Sequence, residues 1–339
     1  MIPSRKILIG ALGIAILCSC LAVFGGFIAI TWYSTNVKPV PPPLIFPTRN
    51  PSEVVPTHPI EKGTTTPLPE SYPKGKIVFV CQIFRTQAQD QLCIINADGT
   101  GWRRLTSNDN VRSFYPSLAP DGNSVLFSSN IDGNFKLFEM NLDGQLTPLG
   151  NTVGIAPDLS PDNTHIVFTN NNGEMDMIWI MNRDGSQPRL LYKDAWDPTW
   201  SPDGKRILFA TNIDGIPQLA TINQDGTDFR QITNMAYLRG RSDWSVNGLD
   251  IVTYVGKPWE RELYVLNYDG TNPHQITPTG GNSQGPSFSP DGEWVAFTAY
   301  FNAIGNNNGC EIYIMRLDGS NLKRLTNNNY CDWQPRWGP

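Results

Sequence analysis

The chain has 339 residues, of which 26 are basic and 31 acidic, giving a net charge of −5. This balance excludes the dense basic field that binding to nucleic-acid phosphates requires. The three histidines, His58, His165 and His274, are far apart in the sequence, so we expect no shared metal site and no cofactor.

The amino-terminal residues have the features of a membrane anchor. Residues 1–6 contain Arg5 and Lys6, and the stretch from Ile7 to Trp32 is uncharged and strongly apolar. At roughly 1.5 Å per residue, such a stretch is long enough to cross a bilayer as a helix. The basic pair predicts that residues 1–6 stay cytoplasmic. We expect an uncleaved single-pass anchor in a bacterial cytoplasmic membrane, with the rest of the chain on the extracytoplasmic side.

A lipid anchor is the alternative interpretation of this segment. Leu17-Cys-Ser-Cys20 is similar to a bacterial lipobox, in which Cys20 is the acylated residue. The apolar run then continues to Trp32, whereas a mature lipoprotein usually continues with polar residues. The apolar length therefore favours the uncleaved anchor.

Residues 33–74 are rich in proline, threonine and serine and include Pro39-Val-Pro-Pro-Pro43. This composition predicts a disordered linker and no domain. Because proline-rich chain extends by about 3.1 Å per residue, the linker could hold the following residues up to roughly 100 Å from the bilayer.

From residue 75 onward, one unit repeats six times. Each unit contains an Asp-Gly turn in a similar frame, and successive turns are 41 to 49 residues apart. The six turns begin at Asp98, Asp143, Asp184, Asp225, Asp269 and Asp318. This period is typical of a four-stranded β-propeller blade.

One unit shows how its four strands are specified. Ser201-Pro-Asp-Gly204 predicts a turn, because proline presets one backbone angle and glycine tolerates positive φ. Arg206–Ala210 and Gln218–Asn223 follow as strands rich in β-branched and apolar residues. Asp225-Gly226 predicts a hairpin turn of type I′ before the last strand.

The two ends of the repeat region complement each other. Gln334-Pro-Arg-Trp-Gly-Pro339 is the first strand of a unit whose remaining strands begin at Gly75. Pairing of these ends would close a ring and protect its strand edges. We therefore predict that residues 75–339 form an all-β, monomeric six-bladed propeller of four-stranded antiparallel blades.

The repeat motifs resemble those of the TolB family of β-propellers. The similarity is carried by Pro198-Thr-Trp-Ser-Pro-Asp-Gly204, by Ile-x-Phe strands and by Arg-x-Leu-Thr endings, and it covers residues 75–339. Gly-His and Trp-Asp marks of WD repeats are lacking. TolB proteins carry an α/β domain before the propeller, and we expect none in residues 1–74. The resemblance therefore implies the propeller fold and leaves the TolB role in envelope assembly open.

The propeller region has four cysteines, which suits an oxidising compartment. Cys81 and Cys93 fall on adjacent strands of one hairpin, and Cys310 and Cys331 are expected at one rim of the ring. Although four cysteines allow three pairings, we predict the disulfides Cys81 with Cys93 and Cys310 with Cys331. Buried free thiols are the alternative.

No catalytic residue is predicted. Gly281-Asn-Ser-Gln-Gly285 matches the nucleophile elbow of serine hydrolases, but Pro286 follows where that motif needs a helix. The Asp-Gly turns lack the alternating acidic ligands of a calcium loop, so no metal is expected there.

The loops that enter the innermost strands predict where a ligand would bind, because they reach the mouth of the central channel. The candidate binding residues are Tyr115, Asp158, Trp196, Asp197, Arg241, Asp243, Gln284, Trp333, Gln334 and Arg336. Mixed charge with aromatic rings suits a peptide, protein or sugar. The alternative is that the tryptophans pack between blades and the charges are solvated.

The predicted function is a membrane-anchored scaffold that binds another envelope or extracellular protein, or an envelope component, without catalysis. The alternative is a carbohydrate-active enzyme, a lyase or glycosidase, with its site at the channel mouth. A lyase is expected to cluster histidines there, and a glycosidase needs two carboxylates about 5 to 10 Å apart. Asp158, Asp197 and Asp243 could supply such carboxylates, so a glycosidase site stays an open alternative.

Overall fold

The computed structural model describes residues 73–82, 89–108, 110–131, 133–300, 310–328 and 330–339. The predicted anchor, Cys20 and nearly all of the linker lie outside the described residues. Within the described ranges, no helix has the length and apolar character needed to cross a membrane. Their regular structure consists of β-strands.

The strands form six four-stranded antiparallel sheets, which are the blades of a propeller. Blade 1, from its inner to its outer edge, contains β24 (Asp332–Gly338), β1 (Lys76–Gln82), β2 (Asp90–Asn96) and β3 (Arg103–Arg104). Blade 2 contains β4 (Ser113–Leu118), β5 (Ser124–Ser129), β6 (Lys136–Asn141) and β7 (Leu146–Val153). Blade 3 contains β8 (Ile155–Leu159), β9 (His165–Asn171), β10 (Asp176–Asn182) and β11 (Arg189–Lys193).

The other three blades follow in chain order and have the same arrangement. Blade 4 contains β12 (Ala195–Trp200), β13 (Arg206–Ile213), β14 (Ile216–Asn223) and β15 (Arg230–Gln231). Blade 5 contains β16 (Asp243–Trp244), β17 (Asp250–Val255), β18 (Glu262–Asn267) and β19 (His274–Gln275). Blade 6 contains β20 (Ser283–Phe288), β21 (Trp294–Ala299), β22 (Glu311–Arg316) and β23 (Lys323–Arg324).

The predicted ring closure is confirmed. β24 pairs antiparallel with β1, with Trp337 opposite Ile77 and Asp332 opposite Cys81. The Trp337 indole nitrogen also donates to the Lys74 carbonyl at 2.8 Å. The first and last strands of the propeller therefore belong to one blade, and β24 covers the edge of β1 that would otherwise be open.

The hydrophobic core is divided among the blade interfaces, with one buried cluster at each of the six. On β1, Ile77 and Phe79 face blade 6, while Val78 and Val80 face blade 2. Successive side chains of a strand point to opposite faces, and both faces of a blade are covered here. This is why the second strands of the blades, such as β1 and β9, contain continuous apolar runs.

In blades 1, 4, 5 and 6, a threonine two residues after the outer strand stabilises that strand, at Thr106, Thr233, Thr277 and Thr326. Thr277 accepts the Leu263 amide at 2.9 Å and donates to the Glu262 carboxylate at 2.8 Å. The Leu219 amide donates to Thr233 in the same way, and that hydroxyl donates to Gln218. The motif therefore stabilises the short outer strand, which has few ladder hydrogen bonds of its own.

The turn type predicted for the Asp-Gly hairpins is wrong. A type I′ turn requires positive φ at both central residues, but in the Asn96–Thr100 turn only Gly99 has positive φ. The Asp98 carboxylate accepts the Thr100 amide at 2.8 Å, which holds the aspartate in the right-handed region. The turn is thus the longer form, in which a left-handed glycine follows a type I turn.

Both predicted disulfides are present in the structure, Cys81–Cys93 within blade 1 and Cys310–Cys331. The second links the residue that precedes β22 in blade 6 to the residue that precedes β24 in blade 1. The Asp332 amide beside it donates to the Cys310 carbonyl at 2.8 Å. This disulfide therefore joins the two blades at the ring seam.

Candidate functional site

Each blade contributes one residue with a left-handed backbone at the start of its innermost strand. These residues, all with φ between 51° and 59°, are Tyr115, Ala156, Asp197, Arg241, Gly285 and Gln334. Five of the innermost strands also show a register irregularity at this point. Such bulges bend a strand and redirect its side chains. We call this set the mouth layer.

Two residues further along each inner strand lies a second set, which we call the inner ring: Ser117, Asp158, Thr199, Asp243, Ser287 and Arg336. Its members are hydrogen-bonded from blade to blade. The Asp158 carboxylate accepts Ser117 Oγ at 2.8 Å, Thr199 Oγ1 at 3.0 Å and the Trp200 amide at 2.9 Å. Its neighbours in the ring thus satisfy this buried carboxylate.

The other half of the inner ring follows the same logic. The Asp243 carboxylate accepts Ser287 Oγ at 2.8 Å and the Phe288 amide at 2.9 Å. The Arg336 guanidinium lies 3.5 Å from Asp243. Burial raises the pKa of Asp158, and the charge of Arg336 opposes that rise. The inner ring therefore stabilises the closed propeller by hydrogen bonds and an ion pair between blades.

A pocket of about 190 Å³ opens at the mouth layer. Side chains from five of the six blades line it, and most of them are aromatic or uncharged polar groups. The lining residues are Tyr115, Asp197, Arg241, Tyr254, Gln284, Gly285, Thr298, Tyr300, Trp333 and Gln334.

Arg241 crosses the channel at this pocket. It is only 5% exposed, and its Nη2 lies 3.3 Å from the Pro116 carbonyl of blade 2 and 3.4 Å from the Gln334 carbonyl of blade 1. Its guanidinium also stacks over the Tyr115 ring, 5.3 Å from the centroid. Burial, together with repulsion from Arg336, lowers the pKa of Arg241 to about 10, so the side chain remains a cation at neutral pH.

The acidic and phenolic groups of the pocket are strongly desolvated. Burial raises the pKa of Asp197, against the opposing effects of Arg241 and Arg336. Burial and the nearby Asp197 raise the pKa of Tyr115 to about 12, and the same two causes raise the pKa of Tyr254. The tyrosines are therefore neutral hydrogen-bonding groups at physiological pH.

Gly240 allows the close packing behind this pocket. A Cβ atom at Gly240 would lie 2.5 Å from both Asp197 Oδ2 and Trp196 Nε1. Both contacts are shorter than real Cβ atoms tolerate, so only glycine allows the backbone to approach this wall.

An aromatic rim extends from the pocket along the hairpin between β17 and β18. Trp259 is 65% exposed and its ring meets Tyr300 edge-on at 6.2 Å. Arg261 donates to Gln284 Oε1 at 2.7 Å and lies over the Tyr254 ring. The rim therefore continues the polar and aromatic character of the pocket onto the surface.

The structure brings together six of the ten candidate residues, Tyr115, Asp197, Arg241, Gln284, Trp333 and Gln334, as lining of this pocket. Asp158, Asp243 and Arg336 lie instead in the inner ring. Trp196 packs against the buried cluster between blades 4 and 5. Tyr254, Thr298 and Tyr300 were not predicted from the sequence. These residues lie at the mouth ends of the second strands of their blades. An aromatic or hydroxyl side chain directly after an apolar run is the signal that could have identified them.

Groups suited to catalysis are sparse at this pocket. Asp197 is the one carboxylate among its lining residues. Ser283, the serine of the elbow-like motif, is buried on strand β20, and its amide donates to the Arg261 carbonyl. No cluster of three or more potential metal ligands occurs among the described residues.

These features define a class, the closed six-bladed β-propeller with a pocket at one end of its channel. The chain belongs to the TolB β-propeller family, because residues 61–236 match the family model described as PD40, TolB beta propeller domain. The resemblance inferred from the repeat motifs is thereby confirmed.

Curated relatives match over parts of their length. The chain is 33% identical over 97 residues to an uncharacterised protein of Agrobacterium fabrum, covering 28% of this chain and 31% of that protein. It is 30% identical over 79 residues to the Tol-Pal system protein TolB of Desulfosudis oleivorans, covering 23% of this chain and 17% of that protein. The chain thus spans less than a third of these relatives.

Solved structures share the fold at low identity. TolB from Acinetobacter baumannii aligns with a TM-score of 0.69 and 22% identity, covering 78% of this chain and 67% of that chain. A chain of the nidogen/laminin complex aligns with a TM-score of 0.61 and 12% identity, covering 78% of this chain and 99% of that chain. Propellers with different roles therefore share this architecture, and function depends on the site.

Proposed function

We propose that this chain is a non-catalytic binding module that holds a partner protein, or another envelope component, at the mouth pocket. The observation that carries the proposal is the composition of the pocket, in which three tyrosines, a tryptophan and two glutamines surround one arginine and one aspartate. Aromatic residues and arginine are enriched where binding energy is concentrated in protein interfaces.

The arrangement of charges favours binding over catalysis. General acid–base chemistry on a glycoside uses two carboxylates that face the same bond. Of the three aspartates considered from the sequence, Asp158 and Asp243 are hydrogen-bonded within the inner ring. Asp197 alone lines the pocket. The same pocket offers aromatic faces and amide groups, which hold a ligand without reacting with it.

The proposed location is outside a membrane, with residues 7–32 as the anchor. The two disulfides support this location, because such bonds persist mainly in oxidising compartments. Protease treatment of intact cells should degrade the propeller, and alkaline carbonate should leave the chain in the membrane fraction. Release by carbonate, or protection in intact cells, would contradict the location. Mass spectrometry of wild type and Cys20→Ser would separate lipid modification from an uncleaved anchor.

Capture experiments with matched variants test the binding role. The full-length chain in detergent serves as bait, and Tyr300→Ala alters the pocket rim. Tyr268→Ala is the control, because Tyr268 is 52% exposed in the turn after β18, at the end of blade 5 away from the mouth. A captured protein, once purified, should bind the wild type and the control equally and Tyr300→Ala at least about tenfold more weakly, as expected for an interface hot spot. Equal binding to all three chains would refute a role for the mouth.

A further inference from the structure

Arg241 differs in its partners from Arg336, the other fully buried arginine among the described residues. Arg336, Arg206 and Arg324 each lie within 4 Å of a carboxylate, on Asp243, Asp228 and Glu311 respectively. Among the described residues, no carboxylate oxygen lies within that distance of the Arg241 guanidinium, although the Asp197 carboxylate accepts the Arg241 backbone amide. Its Nε is buried without a hydrogen-bond partner in the described part of the chain. Buried charges are normally paired in direct contact, whereas Asp197 acts on this guanidinium only from beyond salt-bridge distance.

The contacts that Arg241 does make are long for a cation. Its Nη2 reaches two backbone carbonyls at 3.3 and 3.4 Å, whereas charge-assisted hydrogen bonds are typically about 2.7 to 2.9 Å. These contacts hold the side chain across the channel, and the guanidinium can still donate to a stronger acceptor.

A second donor lines the same pocket and also lacks an acceptor. Thr298 is 1% exposed, and its Oγ1 has no hydrogen-bond partner among the described residues. Thr298 and Arg241 come from different blades, 6 and 5, yet both line the pocket. An acceptor with two oxygens, such as a carboxylate, could satisfy a guanidinium and a hydroxyl together.

Pocket size restricts what can bring that carboxylate. The volume of about 190 Å³ is below the roughly 300 to 1,000 Å³ of pockets that enclose whole small-molecule ligands. A pocket of this volume suits one side chain inserted from a larger molecule. The aromatic rim around Trp259 and Tyr300 would then contact the partner residues next to that side chain. Asp197 lines the same pocket, where burial raises the pKa of this carboxyl and Arg241 and Arg336 oppose that rise.

We propose that the mouth pocket receives an aspartate or glutamate side chain of a partner protein, whose carboxylate binds Arg241 and Thr298. This inference rests on the proposed binding function and specifies the chemistry of the partner. Tyr115, stacked against Arg241, fixes the guanidinium for this contact.

Peptide display against the full-length chain tests the inference. Peptides are selected from a random library, and each selected peptide is resynthesised with every acidic residue changed singly to its amide. One such change should weaken binding to the wild type about tenfold or more, the range expected for a hydrogen bond to a charged group. On Arg241→Met and Thr298→Val the same change should have a markedly smaller effect, because the carboxylate has lost its partner.

Matched variants keep the result interpretable. Arg230→Met is the control, because Arg230 is exposed on the outer strand β15 and is paired with Asp228. It should bind both peptide forms as the wild type does. Thermal melts confirm folding of each variant, and Thr298→Val alone decides the outcome if Arg241→Met does not fold.

Two outcomes would overturn the inference and can be told apart. Selected peptides that Tyr300→Ala weakens, but whose amide forms bind equally well, would remove the acidic guest and leave the mouth as a binding site. If Tyr300→Ala and Arg241→Met weaken none of the selected peptides, the mouth does not bind polypeptide, and the proposed function fails with the inference.

Discussion

The mouth layer and the inner ring lie two residues apart on the same six strands, yet their charged groups differ in whether they have direct partners of opposite charge or hydrogen-bond donors from other blades. In the inner ring, Asp158 and Asp243 receive hydrogen bonds from adjacent blades, and Arg336 lies beside Asp243. In the mouth layer, Arg241 is buried without a carboxylate among the described residues within salt-bridge distance. The comparison separates charges that hold the ring together from the Arg241 charge, for which a ligand is proposed above.

The bulge between the two layers explains how one strand serves both purposes. A left-handed residue such as Asp197 or Gln334 redirects its own side chain, while the strand beyond it returns to regular pairing. The inner ring can therefore stay fixed for stability. Because the bulge interrupts the hydrogen-bond pairing of the strand at the mouth layer, the six blades can carry different side chains there without changing the sheets.

The largest expected effect is that of Asp158→Ala in the inner ring. The substitution leaves two hydroxyls and the Trp200 amide without their acceptor and removes a negative charge near Arg336. Breaking a buried charged network typically lowers the free energy of unfolding by roughly 3 to 5 kcal/mol. Urea denaturation of the full-length chain measures this loss.

The control for that measurement is Asp162→Ala, in the exposed turn between β8 and β9. Asp162 accepts only local hydrogen bonds from Ser160 and Thr164. Its removal should lower the free energy of unfolding by about 1 kcal/mol. If the two substitutions lower the free energy of unfolding equally, the inner ring does not stabilise the propeller more than an exposed turn does.

A smaller, pH-dependent effect is expected from Asp332 at the ring seam. Burial and the nearby Glu311 raise the pKa of Asp332 to about 7. The folded chain therefore keeps this proton at pH values where the unfolded chain, with an ordinary pKa of about 3.9, has lost it. Stability from this group is complete below about pH 4 and is lost as pH rises to about 7, by at most about 4 kcal/mol.

Asp332→Asn should flatten this dependence, because the amide does not titrate. Thermal or urea unfolding of both chains between pH 4 and 8 gives the comparison, with Asp318→Asn, in an exposed turn, as the control. Parallel pH profiles for Asp332→Asn and the wild type would contradict the raised pKa.

The fold could be predicted because the information is local and repeated. Turn residues such as Asp225-Gly226 and apolar runs such as Ile77–Val80 specify strands, and their period gives the blade. Ring closure followed from the complementary ends near Gly75 and Gln334. The turn type was wrong because the Asp98 side chain hydrogen-bonds the Thr100 amide, a choice that Asp-Gly alone does not reveal.

The site was predicted in part, because repeat register gives the strand but not the direction of each side chain. Asp158 and Asp197 both looked like mouth residues, and only the bulge places one in the inner ring and the other in the pocket. Tyr254 and Tyr300 belong to second strands, whose mouth ends are brought to the pocket by blade geometry. Such contacts join residues that are distant in sequence.

The smallest change in stability, and the sharpest contrast between the two layers, is expected for Asp197→Asn. Burial makes ionisation of this carboxyl unfavourable, and an amide of similar size carries no charge. The free energy of unfolding at neutral pH should therefore change by less than about 1 kcal/mol or rise slightly, while affinity for an acidic peptide should increase a few-fold, because one negative charge leaves the pocket. Urea denaturation and fluorescence anisotropy with the selected peptides measure the two quantities. A loss of stability as large as that of Asp158→Ala would mean that Asp197 is a fastening residue, and the distinction between the two layers would fail.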